Sequence, residues 1–339
     1  MTIYILGAGF SSDLGLPLTP DLFDRVVSVA KSHELYPIHD SLYLIYPFFK
    51  REFRNYPNIE DVLSFYQMRV EWDEIGLDRG KRQFHERSEK LLRQLLVRYF
   101  LKASFDVLKK EEIAYYLEFA RKVKPGDVII TFNYDYIIDI CLSAWPSLKA
   151  LITYTERSPD KISIFKLHGS AGWLSHPLKV NDIMITKTTP IWPRIASDPP
   201  IYDLDPSGID ILVNQKYDIG DLMQQIQSTE NLESFVIAPT AFKSPRVAGN
   251  VLFKKLWGLA LDSLKEANNI VVIGYSLPIT DLGSRILLRE GVNQNPNNQD
   301  SQFVTVYDPN IQIKNIYERH ITEKVAFKST RFIYSELVK

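Results

Sequence analysis

The opening stretch, Met1 to Pro17, constrains the chain more than any other part of it. An apolar run rich in β-formers, Thr2 to Leu6, breaks into Gly7, Ala8 and Gly9, and Gly15 follows after five further residues. A strand that empties into glycines leaves a loop whose backbone turns tightly. No Cβ keeps a phosphate away from its N–H groups. An ordinary strand and turn would read the same way, so the meaning of the loop depends on what the other strands end in.

The same pattern recurs. Asp127 to Phe132 is a nearly wholly apolar strand introduced by Pro125-Gly126, and it runs into Asn133-Tyr134-Asp135. Apolar residues on both faces predict a parallel strand covered by helices on either side. Ile162 to Leu167 ends in His168-Gly169-Ser170, Ile270 to Ile273 in Gly274-Tyr275-Ser276-Leu277-Pro278, and Phe303 to Tyr307 in Asp308-Pro309-Asn310. Phe235 to Ala238 reads as a further strand and Arg331 to Tyr334 as an edge. Between the strands, Thr19-Pro20-Asp21 carries an N-cap, a proline and an acid that predict a helix with Leu22, Phe23, Val26, Val27 and Ala30 on one face. A second helix is predicted around residues 252 to 267.

This alternation predicts one α/β domain over residues 1–339, a Rossmann-like, doubly wound and mostly parallel sheet. Its core comes from residues 1–32, 123–176 and 233–339. Residues 33–122 lack strand alternation and repeat Leu91, Leu92, Leu95, Leu96, Tyr99 and Phe100 at helical intervals, which predicts a helical insertion. Residues 177–232 hold Pro190, Pro193, Pro199, Pro200 and Pro206, which predict a small irregular module. The aromatic residues Tyr43 to Tyr66 read as packing between helices, and Arg79, Lys81 and Arg82 as a solvated loop.

Composition removes several classes of function. Forty basic against 41 acidic residues leave no global field that would draw the chain onto nucleic acid or an acidic membrane. Cys141 is the single cysteine, so an internal disulfide and a multi-cysteine zinc site are excluded, and no apolar stretch reaches membrane-spanning length. The expectation is a cytoplasmic protein with no metal and no direct nucleic-acid contact.

Open α/β sheets bind ligands at the carboxyl ends of their strands, where all these polar clusters fall. Gly7, Ala8, Gly9 and Phe10 on one side and Gly274 and Tyr275 on the other offer backbone donors to a pyrophosphate, and Ser11 or Ser276 adds a hydroxyl. Asp308 offers a ribose an acceptor. Asn133 both donates and accepts, and a neutral His168 takes a proton near neutral pH. The sum reads as a dinucleotide site with one acid–base residue. Hydride transfer is not the expected chemistry, because Ser12 stands where the dehydrogenase fingerprint needs its third glycine. Simpler roles stay open: His168 as a turn histidine, Asn133 and Asp135 as caps of a helix over residues 136–142, and Asp281 as a helix cap or a ligand contact.

Gly7-Ala8-Gly9-Phe10-Ser11 with Gly15-Leu16-Pro17, then Thr131-Phe132-Asn133-Tyr134-Asp135, Leu167-His168-Gly169 and Gly274-Tyr275-Ser276-Leu277-Pro278 form an ordered series that resembles the sirtuin superfamily. The variant Phe-Asn-Tyr-Asp, with Gly-Tyr-Ser-Leu-Pro and no cysteine between Trp173 and Leu232, is similar to the zinc-less sirtuin-like NAD hydrolases of bacterial antiphage defence. The resemblance implies a sirtuin-like fold and NAD as substrate. Asn133 and His168 would do the chemistry with Asp135 orienting them. Gly7, Ala8, Gly9, Phe10 and Ser11 would hold the pyrophosphate, and Gly274, Tyr275, Ser276 and Asp308 the adenosine half. It also implies control by homo-oligomerisation or by a partner protein, a translocase ATPase or an Argonaute. A non-catalytic sensor of NAD or ADP-ribose is the alternative expectation, with deacylation or ADP-ribosyl transfer behind it.

Overall fold

A computed structural model describes residues 1–31, 33, 35, 36, 38, 39, 42, 57–74, 82–149, 151–180, 183–190, 233–236 and 251–339. Its seven-stranded sheet contains β1 (Thr2–Leu6), β2 (Val128–Thr131), β3 (Ile152–Thr153), β4 (Ile162–Lys166), β8 (Asn269–Ile273), β9 (Val304–Tyr307) and β10 (Val325–Lys328). The order across the sheet is β10-β9-β8-β1-β2-β4-β3, and every pairing in it is parallel. From β1 the chain passes to β2, goes out to the edge strand β3 and comes back to β4 between them, then crosses to β8 on the other side of β1 and continues outward to β9 and β10. This is the doubly wound α/β arrangement, with its switch point at β1 and β8. Residues of β2 and β4 are buried whichever way they face, which is why their sequences are apolar runs.

The register sets the site. Lys328, Tyr307, Ile273, Leu6, Thr131 and Lys166 stand level in one row across the sheet. Each following residue continues the ladder: Gly7 N–H donates to Ile273 O, Phe132 N–H to Leu6 O, Leu167 N–H to Thr131 O and Gly274 N–H to Tyr307 O. The polar clusters therefore leave the sheet at one height along one edge.

A second, antiparallel sheet has the order β6-β5-β7, from β5 (Gly169–Val180), β6 (Ile183–Pro190) and β7 (Glu233–Val236). β5 begins immediately after His168. The strand expected at 235–238 lies at β7, in this small sheet. The edge expected at Arg331 to Tyr334 is a correction: Phe332–Tyr334 is a 3-10 turn with Phe332 buried against Phe10, and β10 is the edge strand. Thr19–Asp21 likewise forms a 3-10 turn without a side-chain cap, and the helix begins at Leu22.

Within the expected insertion the structure has α3 (Ile59–Glu74), α4 (Arg82–Asp106) and α5 (Ile113–Lys122). Phe119 of α5 packs edge-on to Tyr4 of β1 with ring centroids 5.2 Å apart. The side chains of Tyr43, Tyr46, Phe48, Phe49, Phe53, Arg79 and Lys81 lie outside the described residues, as does the proline-rich stretch 191–232. Tyr66 is fully buried, as its reading as helix packing expects. After the small sheet come α8 (Val251–Glu266), α9 (Leu282–Asn293) and α10 (Gln312–His320), preceded in the chain by α1 (Ala8–Ser12), α2 (Leu22–Val27), α6 (Ile137–Ser143) and α7 (Pro146–Lys149). Among the described residues no helix is long and apolar enough to cross a membrane.

Candidate functional site

Two glycine loops meet at the switch point, and their glycines serve each other. Gly9 N–H donates to Gly274 O at 2.9 Å and Phe10 N–H to Gly7 O at 2.9 Å. A Cβ on Gly7 would lie 2.5 Å from the Tyr275 Cα, and one on Gly9 2.7 Å from the Gly274 Cα. Gly274 has φ +59°, and a Cβ there would lie 2.3 Å from the Gly9 carbonyl carbon. Backbone presses on backbone, so nothing flexible gives way. Gly274→Ala is expected to destabilise the fold by about 2–3 kcal/mol through overpacking and left-handed strain. Urea unfolding measures it, and a midpoint equal to that of the unsubstituted chain would contradict this packing.

Behind the β1 loop, Ser11 and Asp135 form the support of Asn133. Ser11 Oγ donates to Asp135 Oδ2 at 2.7 Å, and the Ile137 N–H donates to Asp135 Oδ1 at 3.0 Å. The N-cap of α6 is Tyr136, which makes no side-chain cap bond, so Asp135 binds the first helical N–H from one residue outside the cap, and the same carboxylate ties α6 to the β1 loop. Burial pushes its pKa up from the ordinary carboxylate value, against the Lys166 cation and the hydrogen bonds from Ser11 and Ile137. Asn133 Nδ2 donates to Gly7 O at 2.9 Å, which fixes the orientation of its amide, and lies 3.4 Å from Ser11 Oγ. Asn133 is 8% exposed, so the ends of β1 and β2 are joined through a nearly buried amide.

His168 follows β4 and is 5% exposed. Its Nδ1 lies 3.2 Å from the Phe132 carbonyl oxygen, which only accepts, so Nδ1 carries a hydrogen. Its Nε2 lies 3.2 Å from Asp281 Oδ2. Phe132 packs edge-on to the His168 ring at 5.1 Å and stacks on Tyr275 at 4.3 Å and 13°. The indole N–H of Trp257, on α8, donates to Leu167 O at 3.1 Å and holds the chain just before His168.

The remaining expected residues take distinct positions. Phe10 turns its ring into the core, 5.0 Å from Tyr116 and 4.7 Å from Phe332, so only its backbone belongs to the loop. Tyr275 is buried and its hydroxyl contacts Asp281 Oδ2 at 3.1 Å and Ser284 Oγ, so its side chain braces the site from within. Ala8 is half-buried and Ser276 exposed. Asp308, at the end of β9, accepts the Asn310 N–H at 2.8 Å in a turn leading toward α10; burial raises its pKa, opposed by that hydrogen bond. It lies two strands from β1, at the far side of the row.

Three supporting residues were not singled out by sequence reasoning, or only as something else. Lys166 is fully buried; its Nζ lies 2.6 Å from Asp139 Oδ2 and donates to Asp135 O at 2.9 Å, with Tyr154 Oη donating to Asp139 Oδ1 at 2.7 Å. A lysine inside an otherwise apolar strand is the signal that could have pointed to it. Asp281 precedes α9 but makes no side-chain cap hydrogen bond there; its carboxylate faces His168 and Tyr275. Trp257 gave no signal beyond its size.

No family model and no curated protein matches the chain. Among solved structures it is similar to Sir2Tm bound to a propionylated peptide, with TM-score 0.42 and 11% identity over 98% of this chain and 89% of that one. It is also similar to a Sir2 homologue mutant in complex with ADP-ribose, with TM-score 0.36 and 14% identity over 99% of this chain and 90% of that one. Likenesses this distant carry no weight for the chemistry, which stands on the side chains described above.

Proposed function

We propose that the chain is an NAD glycohydrolase that cleaves NAD to nicotinamide and ADP-ribose, acting as an NAD-depleting effector in bacterial antiphage defence. The observation that carries this reading is the meeting of Asn133 and His168 at the ends of adjacent parallel strands, beside the glycine loop of β1, in the motif order that resembles sirtuin-like NAD hydrolases. Glycosidic cleavage passes through an oxocarbenium-like species, so confinement and a few fixed polar groups lower its barrier. Asn133 holds the nicotinamide ribose or the attacking water, and His168 takes the proton. Asp135 acts through Ser11 and α6 as an orienting residue. Because Gly7, Gly9 and Phe10 already donate their N–H groups within the protein, a pyrophosphate bound by them replaces those bonds. Amide hydrogen exchange at residues 7–10 is therefore expected to change when NAD binds, and an unchanged pattern would move the pyrophosphate elsewhere.

Free NAD hydrolysis would exhaust the cell that makes the enzyme. The reading therefore includes control by homo-oligomerisation or by a partner protein such as a translocase ATPase or an Argonaute. The internally bonded loop favours one second reading, a sensor that binds NAD or ADP-ribose without cleaving it. Incubating the purified chain with NAD, alone and with extract of phage-infected cells, separates the two. Nicotinamide and ADP-ribose in equal amounts support hydrolysis, whereas tight binding with the nucleotide unchanged identifies the sensor.

A further inference from the structure

We propose that a cleft under the sheet, at the strand ends opposite the glycine loops, binds a small molecule that carries two or more linked phosphate groups. The cleft is separate from the residues to which the NAD glycohydrolase reading is assigned, and its occupancy stands or falls without that reading.

The chain leaves α5 at Lys122 and turns through Lys124-Pro125-Gly126-Asp127 into β2, and it enters β4 after Arg157-Ser158-Pro159. These two turns, with Thr2 and Tyr4 of β1, line a cleft of about 790 Å³. That volume falls within the range of about 300–1,000 Å³ usual for small-molecule sites. Gly126 N–H donates to Lys161 O at 2.8 Å, and its φ of +85° lets the two turns close on each other: a Cβ there would stand 3.1 Å from the Pro159 carbonyl oxygen. The N–H groups of Thr2 and Lys124 donate to the two oxygens of the Asp127 carboxylate at 2.7 and 3.1 Å, which fixes the first turn to β1. The walls are thus held by the backbone before any ligand arrives.

Lys122, Lys124 and Arg157 bring three cations to this cleft against the one carboxylate of Asp127, in a chain whose charges otherwise balance at 40 basic to 41 acidic. Asp127 is nearly buried and already takes two N–H groups. The acids close to these cations in the chain are paired elsewhere, Glu118 with Arg121 and Glu156 with Lys161. Among the described residues neither the Lys122 nor the Lys124 ammonium has an ion pair or a hydrogen bond. Arg157 gives one nitrogen to Glu266 at 2.6 Å, which steadies its guanidinium and leaves further donors of the fork. Ser158 Oγ accepts the Asp160 N–H at 3.3 Å and keeps its own hydrogen to donate. Burial, and after it the Asp127 carboxylate, pushes the Tyr4 hydroxyl up to about 12, so it too stays a donor. Cations and hydroxyl donors facing one space select an anion. A single phosphate would fill little of that space, whereas linked phosphates reach from the lysines to Arg157, and the Tyr4 ring, Pro125 and Pro159 offer apolar surface to the group that carries them. β1, β2 and β4 run from this cleft toward Gly7, Asn133 and His168, so its occupant sits beneath the three strands that carry the candidate site.

Isothermal titration of the full chain with inorganic tripolyphosphate, ATP and adenosine, without magnesium, tests the site. Both phosphate compounds should bind and adenosine should not. Equal affinities assign recognition to the phosphate chain alone, whereas ATP binding about tenfold tighter or more assigns part of it to the nucleoside. Lys122→Gln combined with Lys124→Gln should weaken tripolyphosphate by about tenfold or more, and added salt should weaken its binding to wild type. Amide hydrogen exchange locates the ligand: tripolyphosphate should protect residues 122–127 and 157–161 and leave residues 7–10 unchanged. Both lysines are exposed, so the double variant should keep the wild-type fold; should it not, the exchange pattern of wild type still decides. No binding of tripolyphosphate or ATP at millimolar concentration overturns the proposal. So do adenosine binding as tight as that of ATP, a double-variant affinity within about twofold of wild type, and protection at residues 7–10 in place of 122–127. A chain that binds tripolyphosphate in this cleft yet never releases nicotinamide supports the cleft and counts against the glycohydrolase reading alone.

Discussion

Replacing Asn133 by alanine is expected to lower nicotinamide release from NAD by about 10²–10³-fold, the loss that follows removal of one fixed polar group facing a developing charge. Asn133 is suited to that position because its amide is immobilised before substrate arrives: Nδ2 is held by Gly7 O at 2.9 Å, and its own N–H donates to Thr131 Oγ1 at 3.1 Å. The same brace means that Asn133→Ala also loosens the junction of β1 and β2. Asn133→Asp is the informative companion. It keeps the volume but turns an acceptor toward Gly7 O, so it should be as inactive as the alanine variant and less stable. Initial rates with urea unfolding of the same samples check both. Full activity in Asn133→Ala would remove this residue from the chemistry.

Lys166→Met is expected to destabilise the fold by about 3–5 kcal/mol, because breaking a buried pair leaves its other charge without compensation. Lys166 and Asp139 are 0% and 1% exposed, 2.6 Å apart, and the lysine also donates to the Asp135 carbonyl and lies 5.2 Å from the Tyr136 ring centroid. Its loss thus reaches the loop that carries Asn133 and Asp135. Pairing Lys166→Met with Asp139→Leu removes both charges and should recover a substantial part of the stability, since the desolvation cost disappears with them. The chemical denaturation midpoints of the two single variants and the double variant test this. Single variants as stable as wild type would show that the pair has no structural part.

The sheet was legible because burial on both faces leaves a plain trace, runs such as Val-Ile-Ile and Ile-Val-Val-Ile ended by glycine or polar residues. Those ends put Asn133 and His168 each two residues past the paired Thr131 and Lys166, with Asp135 two residues further on. The sequence also suggested phosphate binding as the purpose of the glycines, whereas Gly7, Gly9 and Gly274 are each required by the other loop's backbone. Close approach to a ligand and close approach to another loop call for the same residue, so composition does not separate them. Asp281 was ambiguous for a related reason. An aspartate before a helix suits a cap, and only tertiary packing turns its carboxylate to a histidine more than a hundred positions away. Phe332, taken for an edge strand by its apolar neighbours, is instead drawn into the aromatic core with Phe10, Tyr116 and Phe119.

The measurement that bears most directly on the whole account is the nucleotide composition of a reaction containing NAD and the wild-type chain, run beside His168→Ala. Wild type should convert NAD to nicotinamide and ADP-ribose in equal amounts, and His168→Ala, folded and still able to bind the nucleotide, should leave NAD intact over the same period. Equal hydrolysis by the two proteins, or NAD unchanged by wild type in the presence of its activator, would contradict it.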